Sequence, residues 1–568
     1  MNEYEHYFKV IIIGSGASGL SCLRKLVTLG MSPTDILVLE GRDRCGGRIK
    51  TEKEWGSEGG EERQGEGGRK DGTVITECGA GWVHGIGVPS SPNPILTFLP
   101  PSSCVPAFDN NVWMDPEISL LKGKAKVYAG GEEVGMETVK KGLKQYHVLM
   151  YVLTCLVKAG YDLGSGMDMT RLPVKDALEI INRQGEGLGD EIKLMSRSAL
   201  GLEGRGVVRV LLHCIESWMG APLSSLQMLE FGYTYSSDFR AYMKSRKECE
   251  GEYGDYKGAH GKVKGGMIGV IDGLADLGGE DLRGRVELGK KVNRINYEGK
   301  LTKVETEDGG TYTASVCVCT APLGVMKARS IDFSPPLPEW KAEAINRVGV
   351  GSYKKVTMEF GGIGWDREPE VFLCARITLP GKVKAERERV EASGMLWVGD
   401  RLLVYNSWAR EGLPILEAVL TGEAGEACEG REDKEILEAV LMVMRGTMGR
   451  ERVGEVLRYK ITRWEEDEFS MGAYSYFGLG STGRDVASLS RRVGSPAGAR
   501  VLFAGEHTNE EYQGSVHGAI ISGEETAEEA WEIITGTDEG GDEGGVDDMN
   551  INEGDIDDCG DCEDEDEL

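Results

Sequence analysis

A glycine-rich turn between two apolar segments near the start of the chain is the feature that most constrains its fold. Residues 10–13 are apolar and predict a buried parallel strand, which ends in the sequence GSGASG. In this G-x-G-x-x-G pattern Gly14 permits a tight turn, Gly16 lets the backbone approach a pyrophosphate, and Gly19 lets helix and strand pack closely. The N–H groups at the start of the next helix then face the anion. The turn therefore predicts a phosphate-binding site at the end of a parallel strand.

A second apolar segment narrows this prediction to a dinucleotide. Residues 36–39 are followed by Glu40, which lies 21 residues after Gly19. A carboxylate at this distance can accept hydrogen bonds from a ribose. The sequence RDRCGGR follows, in which paired glycines let the chain pass close to a cofactor. Arg42 and Arg48 in this segment are suited to adenosine and phosphate contacts.

Length and charge limit the architecture and the partners. At 568 residues the chain predicts two or three domains, and 40% hydrophobic content supports a sizeable core. The net charge is −29, and residues 536–568 carry 16 acids and no Lys or Arg, which leaves about −13 on the remainder. An acidic body argues against nucleic acid as a main partner and attracts small cations. The acidic tail has too little apolar content to fold and is predicted to be disordered.

Cysteine usage and hydropathy indicate the compartment. The 13 cysteines are scattered and odd in number, which indicates reduced thiols and a cytoplasmic, intracellular location. No signal peptide is expected, because the first apolar segment already serves as the cofactor strand. The longest uncharged apolar stretch, near residues 147–157, is too short to span a bilayer, so no membrane association is predicted. Cys559 and Cys562 form a C-x-x-C pair without a partner pair, so no metal site is expected.

Strand-like and helical patterns alternate in blocks along the chain. Cofactor-type strands occur at its start, middle and end, whereas the pattern from about 101 to 261 is mostly helical. The fold class predicted is α/β (α+β), with a discontinuous Rossmann-like cofactor domain and an interleaved mixed sheet-and-helix substrate domain. The predicted division is 1–100, 262–340 and 456–535 for the cofactor domain, 101–261 and 341–455 for the substrate domain, and 536–568 for the tail, with a loop insertion at 52–72.

Several separated blocks, in the right order, resemble the flavin-containing amine oxidases. This family includes polyamine and spermine oxidases, monoamine oxidases and lysine-specific histone demethylases, and the resemblance covers roughly residues 8–535. It is closest to the polyamine and spermine oxidases. The blocks are GSGASGL, LEGRDRCGGR, ECGAGWVHGIG, VKGGM, TAPLGVMK, GVGSYKKVTMEF, GAYSYF and LFAGEHTNEEYQGSVHGAIISG.

The resemblance implies FAD as the cofactor and assigns the residues that hold it. Besides the turn glycines Gly14, Gly16 and Gly19, the implied FAD contacts are Ser18, Glu40, Arg42, Arg48, Gly81, Trp82, Val292, Glu506, Ser515 and Val516. The last two lie where the closing helix is predicted to begin. N–H groups at a helix start stabilise negative charge on a reduced flavin.

Three further residues are implied as catalytic. Lys355 resembles the lysine that holds a water against flavin N5, and Lys354 beside it on the strand is expected to face the opposite way, so that one of the two points at solvent. Tyr474 matches an aromatic-cage position that can orient an amine. His84 matches a histidine of polyamine oxidases and could bind or sense the substrate amine.

Other positions refine these expectations. Monoamine oxidases carry a flavin-linked Cys one residue before the cage tyrosine, where this chain has Ala473, so the FAD is expected to be non-covalent. Their second cage tyrosine falls on Ser515, which implies a wider pocket. Trp464 is expected near the flavin or in a structural role, and His507 and His517 are expected to be structural.

The function that the resemblance implies is oxidation of a small-molecule polyamine by hydride transfer to flavin, with hydrolysis of the imine and reduction of O₂ to H₂O₂. A lysine-specific histone demethylase is the nearest alternative, although a cofactor strand starting at residue 8 and the presence of His84 favour polyamines. An FAD-containing binding protein with weak catalysis is an alternative of another class. The polyamine, the C–N bond cleaved and the oligomeric state stay open.

Overall fold

The computed structural model describes most of the chain. The described residues are 7–53, 74–84, 86, 93–101, 103–106, 120–162, 171–182, 205–228, 252–253, 256–257, 260–375 and 380–537. The acidic tail beyond residue 537, the C-x-x-C pair and nearly all of the predicted insertion at 52–72 therefore lie outside them.

The first sheet contains nine strands and is built from three distant parts of the chain. Its spatial order is Val286–Glu287, Ile36–Leu39, Tyr7–Ile13, Thr311–Cys319, Thr302–Thr306, Val292–Asn296 and Asp332–Ser334, with Arg500–Phe503 also paired to Thr311–Cys319 and Val493–Gly494 paired to Arg500–Phe503. The pairs among the first four strands are parallel, as is the pair with Arg500–Phe503. The α/β class and the discontinuous Rossmann-like layout predicted from sequence are confirmed.

The N-terminal strand is buried on both faces, as its continuous apolar run predicts. Val10 and Ile12 pack in the core that contains the first helix, whereas Ile11 and Ile13 pack in the core on the opposite face. This alternation follows the two-residue period of a strand. The carboxyl end of the strand therefore delivers Gly14 to the edge of the sheet between two packed layers.

The second sheet contains seven strands. Its order is Val456–Ile461, Tyr353–Phe360, Ile415–Thr421, Arg401–Asn406, Val371–Ala375, Ala125–Ala129 and Glu132–Glu133. Its pairs are antiparallel except that of Val371–Ala375 with Ala125–Ala129, which is parallel. One face packs on a core that includes Leu373, and the other face packs on a core that includes Phe372. Both faces of this sheet are therefore covered.

Helices and short two-stranded ribbons complete the described chain. The α-helices are Ala17–Thr28, Met136–Asp162, Val174–Asn182, Arg205–Met219, Ile268–Ala275, Leu323–Lys327, Glu339–Arg347, Pro380–Ala392, Trp408–Glu411, Glu423–Glu426, Asp433–Met448, Gly483–Ser490 and Val516–Thr535. The short ribbons pair Thr51–Glu52 with Thr76–Glu77, Cys104–Pro106 with Gly261–Val263, Glu252–Tyr253 with Tyr256–Lys257, Asp276–Leu277 with Glu280–Asp281, and Gly349–Val350 with Ser475–Tyr476. The 3₁₀ helices are Pro33–Asp35, Pro94–Phe98, Leu282–Arg285 and Glu506–Thr508.

The strand pairing differs from the predicted grouping at one boundary. The sequence predicts that 456–535 belongs to the cofactor domain, which contains the first sheet, yet Val456–Ile461 pairs with Tyr353–Phe360 in the second sheet. The physical reason is that an edge strand joins whichever sheet offers an open edge of matching register, which is a long-range choice. The other domain limits stay predictions.

Two further properties bear on the sequence analysis. Among the described residues, no helix combines the length and apolar content that crossing a membrane requires. Cysteines of the described chain, such as Cys22 and Cys428, are free thiols. The cytoplasmic location stays a prediction.

Candidate functional site

A cavity of about 490 Å³ joins the carboxyl edge of the first sheet to one end of the second. With the exception of Gly19, every residue predicted from sequence to bind the cofactor or act in catalysis lines it. These residues are Gly14, Gly16, Ser18, Glu40, Arg42, Arg48, Gly81, Trp82, His84, Val292, Lys355, Tyr474, Glu506, Ser515 and Val516. The fold thus gathers positions from across the chain into one site, while their individual roles stay predictions.

The glycine turn has the geometry that a phosphate requires. Gly14 has φ +99° and a Cβ there would lie 2.6 Å from Thr320 Oγ1, so the position needs glycine. A Cβ on Gly19 would overlap the carbonyl oxygen of Gly14, which explains why Gly19 supports the turn without lining the cavity. Gly16 faces open space, with only a Gly47 carbon at 4.0 Å from the Cβ position. Gly14 and Gly19 are therefore closely packed, whereas Gly16 is open towards the cavity.

Ser18 provides an independent test of whether an anionic cofactor fits this turn. It lies in the first turn of the helix Ala17–Thr28 and is 5% exposed. Its Oγ is buried without a hydrogen-bond partner among the described residues, although the side chain lines the cavity. A buried hydroxyl without a partner is costly unless a ligand completes it. A phosphate oxygen at the helix start would satisfy this hydroxyl and the adjacent N–H groups.

Glu40 is held in place by the turn that precedes it. One carboxylate oxygen accepts hydrogen bonds from Ser15 N at 2.8 Å and Ser15 Oγ at 2.7 Å, and the other accepts one from Arg42 N at 2.9 Å. The oxygen that accepts only from Arg42 N keeps a further lone pair, because a carboxylate can accept about four hydrogen bonds, two on each oxygen. The ribose contact predicted for Glu40 is compatible with this arrangement.

The two predicted arginines are both paired with acids. Arg42 donates two hydrogen bonds to Asp467, at 2.6 and 2.7 Å. Burial alone would raise the pKa of Asp467, but the hydrogen bond and charge of Arg42 outweigh it, and the pKa is lowered. Arg48 donates to the Ala473 carbonyl at 2.8 Å and to Glu506 at 2.9 Å. The arginine side chains therefore line the cavity and also hold its wall together through these hydrogen bonds.

Glu506 connects the wall to the closing helix. It accepts hydrogen bonds from Arg48 and from the backbone N–H groups of Ser475 and Gly514. Burial alone would raise the pKa of the Glu506 carboxyl. The positive charge of Arg48, with the other groups around the carboxyl, outweighs burial, so the pKa of Glu506 is lowered. The helix Val516–Thr535 begins beside it. Its N-terminal N–H groups therefore face the cavity with partial positive charge.

Lys355 reaches the cavity from the second sheet. Its Nζ donates to the carbonyl oxygens of Glu77 and Gly79, both at 2.9 Å, and lies 3.9 Å from a carboxylate oxygen of Glu417. No other hydrogen bond of this Nζ is found among the described residues. An ammonium carries three donors, so one N–H remains for a water or a ligand in the cavity.

The expectation that one of the two neighbouring lysines points at solvent is wrong. Lys354 does face away from Lys355, as the strand period requires, but it is 0% exposed. Its Nζ donates to Glu465 at 2.7 Å and forms an ion pair with Glu429. Because Glu465 and Glu429 meet the Lys354 ammonium on this face, the strand has no solvent side at that point.

Tyr474 is fixed by a helix from the predicted substrate region. Its hydroxyl donates to the Trp218 carbonyl at 2.8 Å, at the end of the helix Arg205–Met219. Its ring lies 6.0 Å from that of Tyr353, which also lines the cavity. Two aromatic rings therefore form one wall, which is suited to contact with a cationic amine. Trp464 lines the cavity and donates through Nε1 to the Cys78 carbonyl at 2.8 Å.

His84 has a neighbour that the sequence analysis missed. Val83 and Gly261 form an antiparallel bridge with hydrogen bonds of 2.9 and 2.7 Å. The bridge places His84 opposite His260, and the two Nδ1 atoms lie 3.1 Å apart. No local pattern in the sequence indicates this pairing, because it joins segments 176 residues apart.

The same bridge brings a lysine to the site. Lys262 lies opposite Trp82, and its Nζ is 4.0 Å from the centre of the indole ring. Burial, and then the charge of Lys355, lowers the pKa of Lys262 to about 8. Burial, and then His260, His517 and Lys262, lowers the pKa of His84 well below its usual value.

We expect the free energy of unfolding to fall as the pH drops below 6.5, because the folded protein buries histidines in their neutral form. Burial lowers the pKa values of His260, His507 and His517 to about 4. Below pH 6.5 the unfolded chain binds protons that the folded chain excludes, so at pH 5 each histidine costs about 2 kcal/mol of unfolding free energy. Urea unfolding at pH 7.5 and pH 5 measures the loss. A His507→Gln variant should show a shallower pH dependence, and equal slopes would contradict this account.

The chain is similar to known proteins over most of its length. The family described as flavin containing amine oxidoreductase matches residues 17–530. A polyamine oxidase 4 from Oryza sativa subsp. japonica is 28% identical over 525 residues, covering 92% of this chain and 88% of that protein. A lysine-specific histone demethylase 1 homolog 3 from Arabidopsis thaliana is 28% identical over 535 residues, covering 91% of this chain but only 29% of that protein.

A solved structure shares the fold. Putrescine oxidase, in wild-type form bound to putrescine, matches with a TM-score of 0.59 and 18% identity, covering 92% of this chain and 98% of that chain. The match to the family extends from the first helix, at the glycine turn, to the closing helix, and so includes both ends of the cavity. Membership implies FAD as the cofactor, which agrees with the phosphate turn and the buried Ser18 hydroxyl. The chain therefore belongs to the flavin containing amine oxidoreductase family.

Proposed function

We propose that this chain is a polyamine oxidase with non-covalently bound FAD and O₂ as electron acceptor. The observation that carries the proposal is the meeting of Lys355, Tyr474 and His84 on one cavity that also includes the phosphate turn. When bound, the flavin would supply a hydride acceptor for the carbon beside the amine nitrogen. Gly14, Gly16 and Ser18 would hold its phosphates, and Glu506 and the closing helix would lie against its ring.

The substrate must lose a proton before it can react, because hydride loss needs a lone pair on the amine nitrogen. An alkylammonium has a pKa near ~10, so its deprotonation at neutral pH costs roughly 4 kcal/mol. The aromatic walls formed by Tyr474 and Tyr353 replace water around the cation and so disfavour its charged form. The neutral imidazole of His84 also lines the cavity and can accept a hydrogen bond there.

Lys355 is proposed to hold a water on the reactive side of the cavity. Its carbonyl contacts with Glu77 and Gly79 fix the ammonium, and the remaining N–H can donate to a water. A water fixed there is available for hydrolysis of the imine product. The acidic body of the protein would draw in a polycation, with an association rate that falls as salt rises.

A histone demethylase activity is the second candidate. The Arabidopsis thaliana relative named a lysine-specific histone demethylase 1 homolog matches over a similar length and at the same identity as the rice polyamine oxidase. A methylated lysine is also a secondary or tertiary amine, so the same cavity chemistry would serve. His84 favours the polyamine proposal, because its imidazole lines the cavity and lies 5.0 Å from the ring of Trp218.

Anaerobic mixing separates these functions. We expect spermine or spermidine to bleach the yellow flavin within seconds. If only a methylated histone peptide bleaches it, the demethylase activity replaces the proposal. If neither does, a binding protein with little catalysis is the better description.

Acid precipitation tests the attachment of the cofactor. Position 473, before the cage tyrosine, holds Ala473, which has no thiol to join a flavin. We expect trichloroacetic acid to release all of the yellow colour into the supernatant as free FAD. Colour that stays in the protein pellet would contradict non-covalent binding.

A further inference from the structure

Two histidines share one hydrogen bond on the cavity wall. His84 and His260 both line the cavity, and their Nδ1 atoms lie 3.1 Å apart. The residues stand opposite each other because Val83 and Gly261 pair as antiparallel strands, which directs both side chains to the same face. The ring of Trp218 covers both, at 5.0 Å from His84 and 6.2 Å from His260.

Hydrogen-bond chemistry fixes how the protons are arranged on this pair. A neutral imidazole carries one N–H and one lone pair, and an Nδ1–Nδ1 hydrogen bond uses the N–H of one ring and the lone pair of the other. The donor ring must therefore hold a lone pair on Nε2, whereas the acceptor ring must hold its proton there. The two Nε2 atoms of the pair are therefore one proton acceptor and one proton donor. A single ring on its own would not fix which of its nitrogens carries the proton.

We propose that His260 acts with His84 as a single proton-accepting pair for the ammonium of the amine substrate. This inference rests on the proposed function and adds a residue and a step to it. The substrate N–H bond breaks and its electron pair stays on the amine nitrogen. The proton forms an N–H bond at the Nε2 that holds the lone pair, and it is released to solvent after turnover.

The surroundings oppose a second proton on the pair more strongly than a first. Once a ring is protonated, the Nδ1 contact becomes a charge-assisted hydrogen bond, which is stronger than a neutral one. A second proton would place two cations 3.1 Å apart. The other ionisable groups that face His84 in the described chain are His517 and the cation Lys262, and both also disfavour further positive charge. The pair therefore titrates as a unit.

Histidine NMR tests the pair without relying on turnover. In the full-chain holoprotein labelled with ¹⁵N-histidine, we expect two complementary tautomers at pH 7.5, one ring protonated on Nδ1 and the other on Nε2. Resonances of the pair are assigned from the His84→Asn and His260→Asn spectra. Two Nε2-protonated rings, or a charged ring at this pH, would overturn the pairing.

Flavin bleaching by spermidine tests the proton transfer. His260→Asn keeps a hydrogen-bonding group beside His84 but cannot carry the proton. We expect anaerobic bleaching to be about tenfold slower than wild type at pH 7. The deficit should shrink towards wild type as the pH rises to 9.5, because free amine then enters without needing a base. A difluorinated diamine of lower pKa should reduce the deficit at pH 7 in the same way.

The matched control is His213→Asn, which removes a buried histidine that does not line the cavity. We expect its bleaching rate to stay near wild type at every pH. A deficit of His260→Asn that is constant with pH indicates a structural role and overturns the inference, while the polyamine function stands. If no amine bleaches the wild-type flavin, the proposed function fails and the proton transfer fails with it, whereas the tautomers still report on the pair.

Discussion

Replacing Lys355 by methionine is expected to lower polyamine turnover about a hundredfold while leaving FAD bound. Methionine fills the volume of the lysine stem but provides no donor for a water in the cavity. The carbonyl oxygens of Glu77 and Gly79 also lose their partner, which costs about 1–3 kcal/mol of unfolding free energy. Steady-state peroxide production at saturating spermine measures the first effect, and urea unfolding measures the second.

The neighbouring lysine provides a matched control with the opposite signature. Lys354→Met leaves the largely buried Glu465 without its cation and removes the partner of the exposed Glu429, which costs about 3 kcal/mol of unfolding free energy. Turnover per folded molecule should stay near wild type, because Lys354 faces away from the cavity. Equal losses of turnover in the two variants would contradict a specific role for Lys355.

Two glycines of the phosphate turn are expected to fail in different ways when replaced by alanine. Gly19→Ala pushes a methyl group into the Gly14 carbonyl, so we expect the apoprotein to lose about 3 kcal/mol or to fail to fold. Gly16 has φ −73° and room for a methyl group within the protein itself. Gly16→Ala should therefore keep the stability of the apoprotein, yet weaken FAD binding at least tenfold, because the methyl group occupies the path of the pyrophosphate.

Urea unfolding of the apoproteins and FAD titration by flavin fluorescence separate the two effects. Wild-type affinity in Gly16→Ala would mean that the phosphates do not approach at this turn. Normal apoprotein stability in Gly19→Ala would contradict this account, because it would mean that the strand and the helix can move apart at no cost.

The cofactor half of the site could be predicted because its signals are local. Gly14, Gly16 and Gly19 lie within one turn, and the acid that follows the next strand lies beside them because that strand pairs in parallel with the first. The family blocks added Lys355 and Tyr474, which line the same cavity, while their catalytic roles stay predictions. The orientation of Lys354 could not be predicted, because alternation tells which face a side chain takes but not what covers that face.

The local order of residues specified the glycine turn, the buried strands and the family, since each depends on neighbours in the chain or on blocks in series. Only the tertiary structure paired His84 with His260 and Trp82 with Lys262, because the bridged residues Val83 and Gly261 are far apart in the sequence and their pairing leaves no periodic pattern. It also assigned Val456–Ile461 to the second sheet. Strand pairing and side-chain burial are set by which surfaces meet, and that depends on the whole chain at once.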